Sequence, residues 1–337
     1  MSANQILQPG FIVVHSNHLE ELRELVVQWI QLNPLYALEN EHILVQSNGI
    51  AQWLKLALAA DNGCGIAAGL QVGLPARFIW QVYRQVLGTE TIAKSSPFDK
   101  APLTWRLMRL LPQVIEQPVF VPLRSFLGHD PDMRKRYQLA ERLADLFDQY
   151  QVYRSDWLKD WAAGHDQLRQ LEGQPHVNAE KEQARQPTVE WQAALWRVLI
   201  DDIGEDEVHS SRAAVHPRFI SAMQALDEAP AGLPRRIIVF GISSLPAQMV
   251  EALAAISRFS QVMLCVHNPC QFHWADIVED KQLLRHEYRR QKRKDDFPEV
   301  LSMEQLHQFA HPLLAAWGKQ GRDYISLLDQ YDELDAY

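Results

Sequence analysis

Residues Ile43–Leu54, "ILVQSNGIAQWL", decide the fold. The uncharged run "HILVQ" (42–46) reads as a short buried strand. A polar turn follows, and "GIAQWLKLALAA" (49–60) then takes up a helical period. Strand, turn and helix in that order is a layout that presents helix N-terminal amides to a phosphate or a nucleic-acid strand. Here the polar residues of the turn are amides, Gln46, Asn48 and Gln52, and no lysine stands among them. Upstream, "FIVVHSN" (11–17) is a second buried strand. The helix after it has apolar positions at Leu19, Leu22, Val26, Trp29 and Ile30, with Asn17 as the expected N-cap. Two strand–helix units in succession predict a parallel α/β sheet.

From about Arg77 to about Met223 no segment reads as a buried strand. "RFIWQVYRQVL", "LTWRLMRLLPQVI", "YQLAERLADLFDQYQVYR", "SDWLKDWAA" and "VEWQAALWRVLIDDI" are all amphipathic helices by period. The polar stretch Glu172–Thr188 between the last two reads as a solvated loop. Strands return at "RRIIVFGISSLP" (235–246) and "QVMLCVHNP" (261–269), separated by the helix "AQMVEALAAI". The expected organisation is one α/β domain (1–92 and 233–337) interrupted by an all-helical insertion (93–232). "KQLLRHEYRRQKRKDD" (281–296) is a charge run expected on a surface helix or loop. The tail "GRDYISLLDQYDELDAY" reads as helix without a fold boundary, so the chain is expected to be a piece of something longer.

At 337 residues, two domains are the starting expectation. The composition, 47% hydrophobic and 22% charged, is that of a globular protein. No apolar run approaches the ~20 residues that span a bilayer, and "MSANQILQPGF" has no secretory pattern. Three cysteines make no disulfide framework, which points to a reducing compartment, the cytoplasm by default. A formal net charge of −9 argues against a surface that coats phosphates generally, and leaves room for a local groove.

Each candidate chemistry has a plainer reading beside it. A Walker-type loop needs glycines and a Lys-Ser/Thr pair. "HSNHLEEL" has neither, "GKQG" (318–321) is followed by Arg322, and "NGCGIAAG" (62–69) follows a helix. His267, Cys270 and His273 lie three apart but lack a second ligand cluster, so a polar strand-end turn is the better reading. "GISSLP" (241–246) has no glycine two past either serine, so it is read as a turn with a serine capping the next helix. In "LADLFDQYQVYR", Asp145, Asp148 and Gln149 share one helix face opposite the stripe Leu143, Leu146, Phe147 and Tyr150. Two carboxylates can bind magnesium or act as acid and base. No His or Lys stands nearby in sequence, and on spacing alone a solvated face with local Asp–Arg pairs, Arg142 and Arg154 flanking, is the stronger reading.

Seven segments, in order, carry a resemblance: "VVHSNHLEEL", "ILVQSNGIAQWL", "LPARFIWQVYRQVLG", "LADLFDQYQVYRSDWL", "VFGISSLPAQMVEAL", "NPCQFHWADI" and "HPLLAAWGKQGRDY". Together the chain resembles the N-terminal region of the RecC family, the gamma subunit of exodeoxyribonuclease V (the RecBCD helicase–nuclease). The resemblance implies a RecA-like, superfamily 1 helicase-type core that has lost its ATPase motifs. It implies no catalytic site and no cofactor in this chain, ATP and magnesium being used by RecB-type and RecD-type partner subunits. The implied DNA ligand is a duplex end and the 3′ single strand, scanned for Chi. By the same resemblance Gln46, Asn48 and Gln52 face the strand, and Leu74 and Trp80 supply an apolar and stacking wall. Asp145, Leu146, Asp148, Gln149 and Arg154 line the opposite side, and Arg212 adds a contact. Asn48 stands where the resemblance leads to an expected hydroxyl residue. Amides suit adenine, arginine suits guanine, and carboxylates accept from the cytosine amino group. Two rivals stay open: an active superfamily 1 helicase or nuclease, and a purely structural scaffold in which Trp80 and Leu74 are ordinary core.

Overall fold

The structure, a computed structural model, describes residues 7–128, 133–169, 179–204, 207, 209–268 and 317–331, with backbone alone for 179–187. In chain order the described elements are β1 (Gly10–Ser16), α1 (Leu19–Leu32), β2 (Glu41–Val45), α2 (Asn48–Ala59), β3 (Leu70–Gly73), α3 (Pro75–Leu87), α4 (Lys100–Val114), α5 (Val121–Leu127), α6 (Arg134–Tyr153), α7 (Ser155–Ala162), α8 (Ala179–Ile203), α9 (Arg212–Ala225), β4 (Arg236–Phe240), α10 (Ala247–Ile256), β5 (Gln261–His267) and α11 (Lys319–Asp329). The chain divides into two compact units, Met1–Gln81 with Leu226–Tyr337, and Val82–Ala225. The first boundary falls within α3.

The first unit is α/β. Its five strands form one sheet in the order β1-β5-β4-β2-β3, and every neighbouring pair is parallel. The strands read as continuous apolar runs because helices cover a parallel sheet on its faces. β4 is buried along its whole length. Side chains alternate across a sheet, and one set, Ile43, Val45, Ile238, Phe240, Met263 and Cys265, meets Leu22, Val26, Leu54 and Leu58 of α1 and α2. One charge lies inside. Arg236 is 0% exposed, and its Nε donates to Glu41 Oε2 at 2.9 Å while its Nη2 donates to Oε1. The fork matches the carboxylate and ties β2 to β4 at the amino end of both strands.

Four local expectations are corrected. Asn17 does not cap α1; His18 is the N-cap residue, without a side-chain cap bond, and Ser16 Oγ accepts from the His18 amide instead. No serine caps α10, which begins after Pro246; Ser244 Oγ accepts from Gln320 Nε2. The short strand β3 escapes a reading that looks for β-branched runs, because "LQVG" is four residues long and ends in glycine. The polar stretch 172–188 is not all loop. The backbone is helical from Ala179, where "AEKEQAR" supplies strong helix formers. The charge run 281–296, Cys270 and His273 lie outside the described residues.

Among the described residues of the second unit every regular element is helical. Its core joins Leu103, Leu107 and Leu111 of α4, Leu143 and Phe147 of α6, Trp161 of α7 and Leu195, Trp196 and Leu199 of α8. Much of the aromatic content is spent here. Trp196 lies 5.4 Å from both Phe98 and Phe147, and its Nε1 donates to the Leu158 carbonyl at 3.1 Å. Trp161 is fully buried and donates to the Gln167 carbonyl at 3.1 Å. Buried indoles need such partners.

Candidate nucleic-acid interface

β2 leads through α2 toward β3, whereas β4 leads through α10 back toward β5. The connections leave neighbouring strands in opposite directions, so β2 and β4 form a topological switch point. In open α/β sheets the carboxyl end of such a point is where ligands bind. Gln46 stands there, immediately after β2, and is exposed. Ser47 follows as the N-cap of α2, its Oγ accepting from the Ile50 amide at 3.4 Å. Asn48 opens the helix and Gln52 lies one turn further; both are exposed. The turn after β4 is held close. Gly241 has φ +62°, and a Cβ there would lie 3.5 Å from Leu19 Cδ2 and 3.8 Å from Ile50 Cδ1. The start of α2 carries no acidic residue, so the positive end of its dipole and a set of amide side chains share this edge. An amide both donates and accepts, which suits a base edge better than a phosphate.

Leu74 sits at the same end of the sheet, directly after β3, and is 51% exposed. Its carbonyl accepts from the Phe78 amide as α3 begins. Trp80 lies on α3 beside the buried Phe78 and Ile79 and is half-buried. Thus Gln46, Asn48 and Leu74 share the carboxyl edge, with Gln52 and Trp80 each carried on the helix that follows.

The remaining predicted residues belong to the second unit and centre on α6. Asp145 accepts from Lys100 Nζ at 2.9 Å and from Gln149 Nε2 at 3.0 Å. The Lys100 bond holds the Asp145 carboxyl below the usual aspartate range and pushes the Lys100 ammonium up. Asp148 behaves the other way. Burial pushes the Asp148 carboxyl above the usual aspartate pKa range, and Arg212, with Nη1 3.5 Å from Oδ1, only partly offsets that. Among the described residues that buried Oδ1 has no hydrogen bond. Arg212 also donates from Nη2 to Asp99 Oδ1 at 3.2 Å, so it bridges two carboxylates. Leu146 is half-buried beside them.

Arg154 turns away from this face. Its guanidinium grips Asp156 at 3.0 and 2.8 Å and lies 3.7 Å from the centre of the Trp157 ring. Only 14% of its side chain is exposed. The expectation that Asp145 and Asp148 have no lysine nearby is therefore corrected: Lys100 arrives from 45 residues upstream, and Arg212 from a separate helix. Of the other candidates, His267 Nε2 lies 3.1 Å from the Asn17 carbonyl. The Cys265 thiol is pushed up to about 12 by burial, which makes it inert. Among the described residues no His, Cys, Asp or Glu group has a metal-holding arrangement, and no helix is long and apolar enough to cross a membrane.

The description of the RecC N-terminal domain matches residues 11–337. The chain belongs to the RecC family. It is 40% identical to the RecBCD enzyme subunit RecC of Haemophilus influenzae, over 96% of this chain and 31% of that protein. It is 39% identical to the subunit of the same name from Escherichia coli, over 96% of this chain and 29% of that one. A mycobacterial relative, from Mycolicibacterium smegmatis, is 27% identical over 87% of this chain and 23% of its own length. The chain thus spans about a third of the length of these curated RecC subunits.

Three residues that sequence reasoning passed over shape the two faces. Ser47 sits inside the quoted turn, and its cap role was legible from the helix start. Gly241 carried a signal too, as a glycine directly after a buried strand. Lys100 carried none, because its partnership with Asp145 exists only once α4 and α6 pack.

Proposed function

We propose that this chain is the DNA-holding N-terminal part of a RecC-type subunit: a RecA-like, superfamily 1 helicase-type domain interrupted by a helical insertion, kept as a strand path and stripped of its motor. The carrying observation is the switch-point edge between β2 and β4. A motor would place a Gly-Lys-Ser/Thr loop there, and this edge presents Gln46, Ser47 and Asn48 instead. In this reading ATP and magnesium are used by RecB-type and RecD-type partners, which the names of the relatives support. The subunit works on duplex ends in the cytoplasm, holds the 3′ single strand and reads Chi during recombinational repair. Gln46, Asn48, Gln52, Leu74 and Trp80 meet bases from the α/β unit, and Asp145, Leu146, Asp148, Gln149 and Arg212 from the helical unit. An unpaired strand leaves both faces and edges of each base open to such side chains.

A scaffold role is favoured for part of the helical face by its own bonds, since Arg154 is committed to Asp156 and Trp157. The test is Chi-dependent cutting by the three-subunit complex with Gln46→Ala and Asp148→Ala introduced separately. One base contact is worth roughly 1–3 kcal/mol of discrimination, so the Chi response is expected to fall about fivefold or more. Unwinding persists in both variants. Normal Chi recognition by both would leave an ordinary solvated face and the scaffold reading.

A further inference from the structure

We propose that Gln151 of α6 is a positioning residue: it and Asp148 hold one internal water molecule between them, and that water fixes how Asp148 faces outward. The two residues lie three apart, so their side chains share one face of α6 with a single turn between them. Along that face the surroundings pass from surface to core. The Asp145 side chain is 38% exposed, that of Asp148 28%, and Gln151 only 1%. Asp148 Oδ1 and Gln151 Oε1 are both buried, and among the described residues neither has a hydrogen-bond partner. Both side chains also reach the same short segment ahead of α4. Gln151 Nε2 donates to the Phe98 carbonyl at 2.9 Å, which fixes the amide with its oxygen as the free end. Arg212, with Nη1 3.5 Å from Asp148 Oδ1, donates from Nη2 to Asp99 Oδ1 at 3.2 Å. Two acceptors are thus drawn to one place with no donor between them.

A buried acceptor without a donor is costly, and a pair of them calls for a molecule that donates twice. Water does so, and a buried water makes about three hydrogen bonds. It would donate one O–H to Asp148 Oδ1 and the other to Gln151 Oε1, while its own oxygen accepts from Arg212 Nη1. A metal ion fits less well. Asp99 is committed to Arg212 and the Ser96 amide, and Asp145 to Lys100 and Gln149. Among the described residues no His, Cys, Asp or Glu group has a metal-holding arrangement. A carboxylate is planar, so a water bound at Oδ1 also sets where Oδ2 points. Because Oδ1 is buried, the exposed part of the Asp148 side chain lies away from it. That outer part is what the proposed function offers to a base, and only this last link rests on that reading.

A crystal structure of the wild-type chain is expected to show one ordered water about 3 Å from both oxygens, and this arm does not depend on how a variant folds. Carboxyl carbon NMR titration then follows Asp148, identified as the signal lost in Asp148→Asn, in wild type and in Gln151→Leu. The charged groups facing Asp148 are Arg212, Asp99, Asp145 and Lys100, and the substitution leaves all four in place. Losing a donor to a carboxylate favours its protonated form, so the midpoint is expected to rise by about one pH unit, a tenfold tighter proton. Without a bridging water the sign reverses. Gln151 Oε1 would then face Oδ1 as one negative end against another, and its removal would lower the midpoint. A midpoint that falls or stays, a metal ion between the two oxygens, or no water there would each overturn the inference. Chi-dependent cutting by the three-subunit complex across pH separates it from the proposed function. Once the titration has shifted, an acid limb of the Chi response that moves to higher pH supports both. An unmoved limb leaves the water site standing and overturns the contact between Asp148 and a base.

Discussion

Asp145 and Asp148 stand three residues apart on α6, and their surroundings drive their acidities in opposite directions. Asp145 is surface-exposed and bonded to Lys100, which favours its charged form. Asp148 loses more to burial than Arg212 returns. A folded-state pKa above the unfolded one means that the folded chain holds that proton more readily. The Asp148 contribution is therefore full at pH below the ordinary aspartate range and is lost as pH rises through the raised folded value. Asp148→Asn removes the charge and keeps the shape. At pH 7 it is expected to lie within about 1 kcal/mol of wild type or above it, because removing a poorly paired buried charge offsets the lost Arg212 attraction. Relative to the variant, wild type gains stability as pH falls toward about 4. Asp145→Asn shows the reverse trend: its contribution is present above the ordinary aspartate range and fades on acidification. Urea unfolding of both variants across pH measures the two slopes, and parallel slopes would contradict the assignment. The shared helix face was legible in the sequence from the 3.6-residue period. The difference between the two carboxylates was not, since Lys100 and Arg212 come from other helices.

At the scale of elements, the sheet was legible where its strands are buried on both faces. β2, β4 and β5 carry apolar runs within strands of five to seven residues, as a covered parallel sheet requires, and the half-buried edge strand β1 was legible from its run Phe11–Val14. β3 was invisible because a four-residue edge strand asks little of its sequence. Caps were read less well than runs. A cap is decided by one residue's backbone angles, and His18 and Pro246 took places expected for Asn17 and a serine. The strand feature least expected from sequence is Arg236, a charge buried at the amino end of the central strand β4. With Glu41 it forms a fork that needs both members. Glu41→Gln is expected to cost about 3–5 kcal/mol, because it leaves a buried guanidinium without its counterion. A joint replacement, Glu41→Leu with Arg236→Met, is expected to recover most of that loss. Thermal unfolding of the single and double variants measures the coupling; equal losses in both would mean that the pair does not act as one unit.

For the whole molecule, charge and partnership are the remaining quantities. The chain carries a formal net charge of −9, yet its positive side chains are not spread evenly. α4 has three and no acid, and α6 begins with three in succession. An acidic molecule whose α4 cations are ion-paired to Asp145 and Asp202 attracts a polyanion only at short range, because at physiological salt charges more than about 8 Å apart are screened. The affinity of the chain by itself for single-stranded DNA is accordingly expected in the range of about 1–100 µM at about 150 mM salt, the strength of ordinary non-specific complexes. It should tighten steeply as salt is lowered, by a slope that counts the few phosphates neutralised. Equilibrium titration at three or four salt concentrations reads both numbers. Submicromolar binding at physiological salt would mean that the chain alone forms a complete DNA site. Under the proposed function, binding in the expected range fits a chain that spans 31% of its Haemophilus relative, with the grip on the strand completed by the rest of a RecC-type subunit. In that arrangement weak intrinsic affinity is an advantage: a strand that must slide past a reading face during unwinding cannot be held tightly at every step.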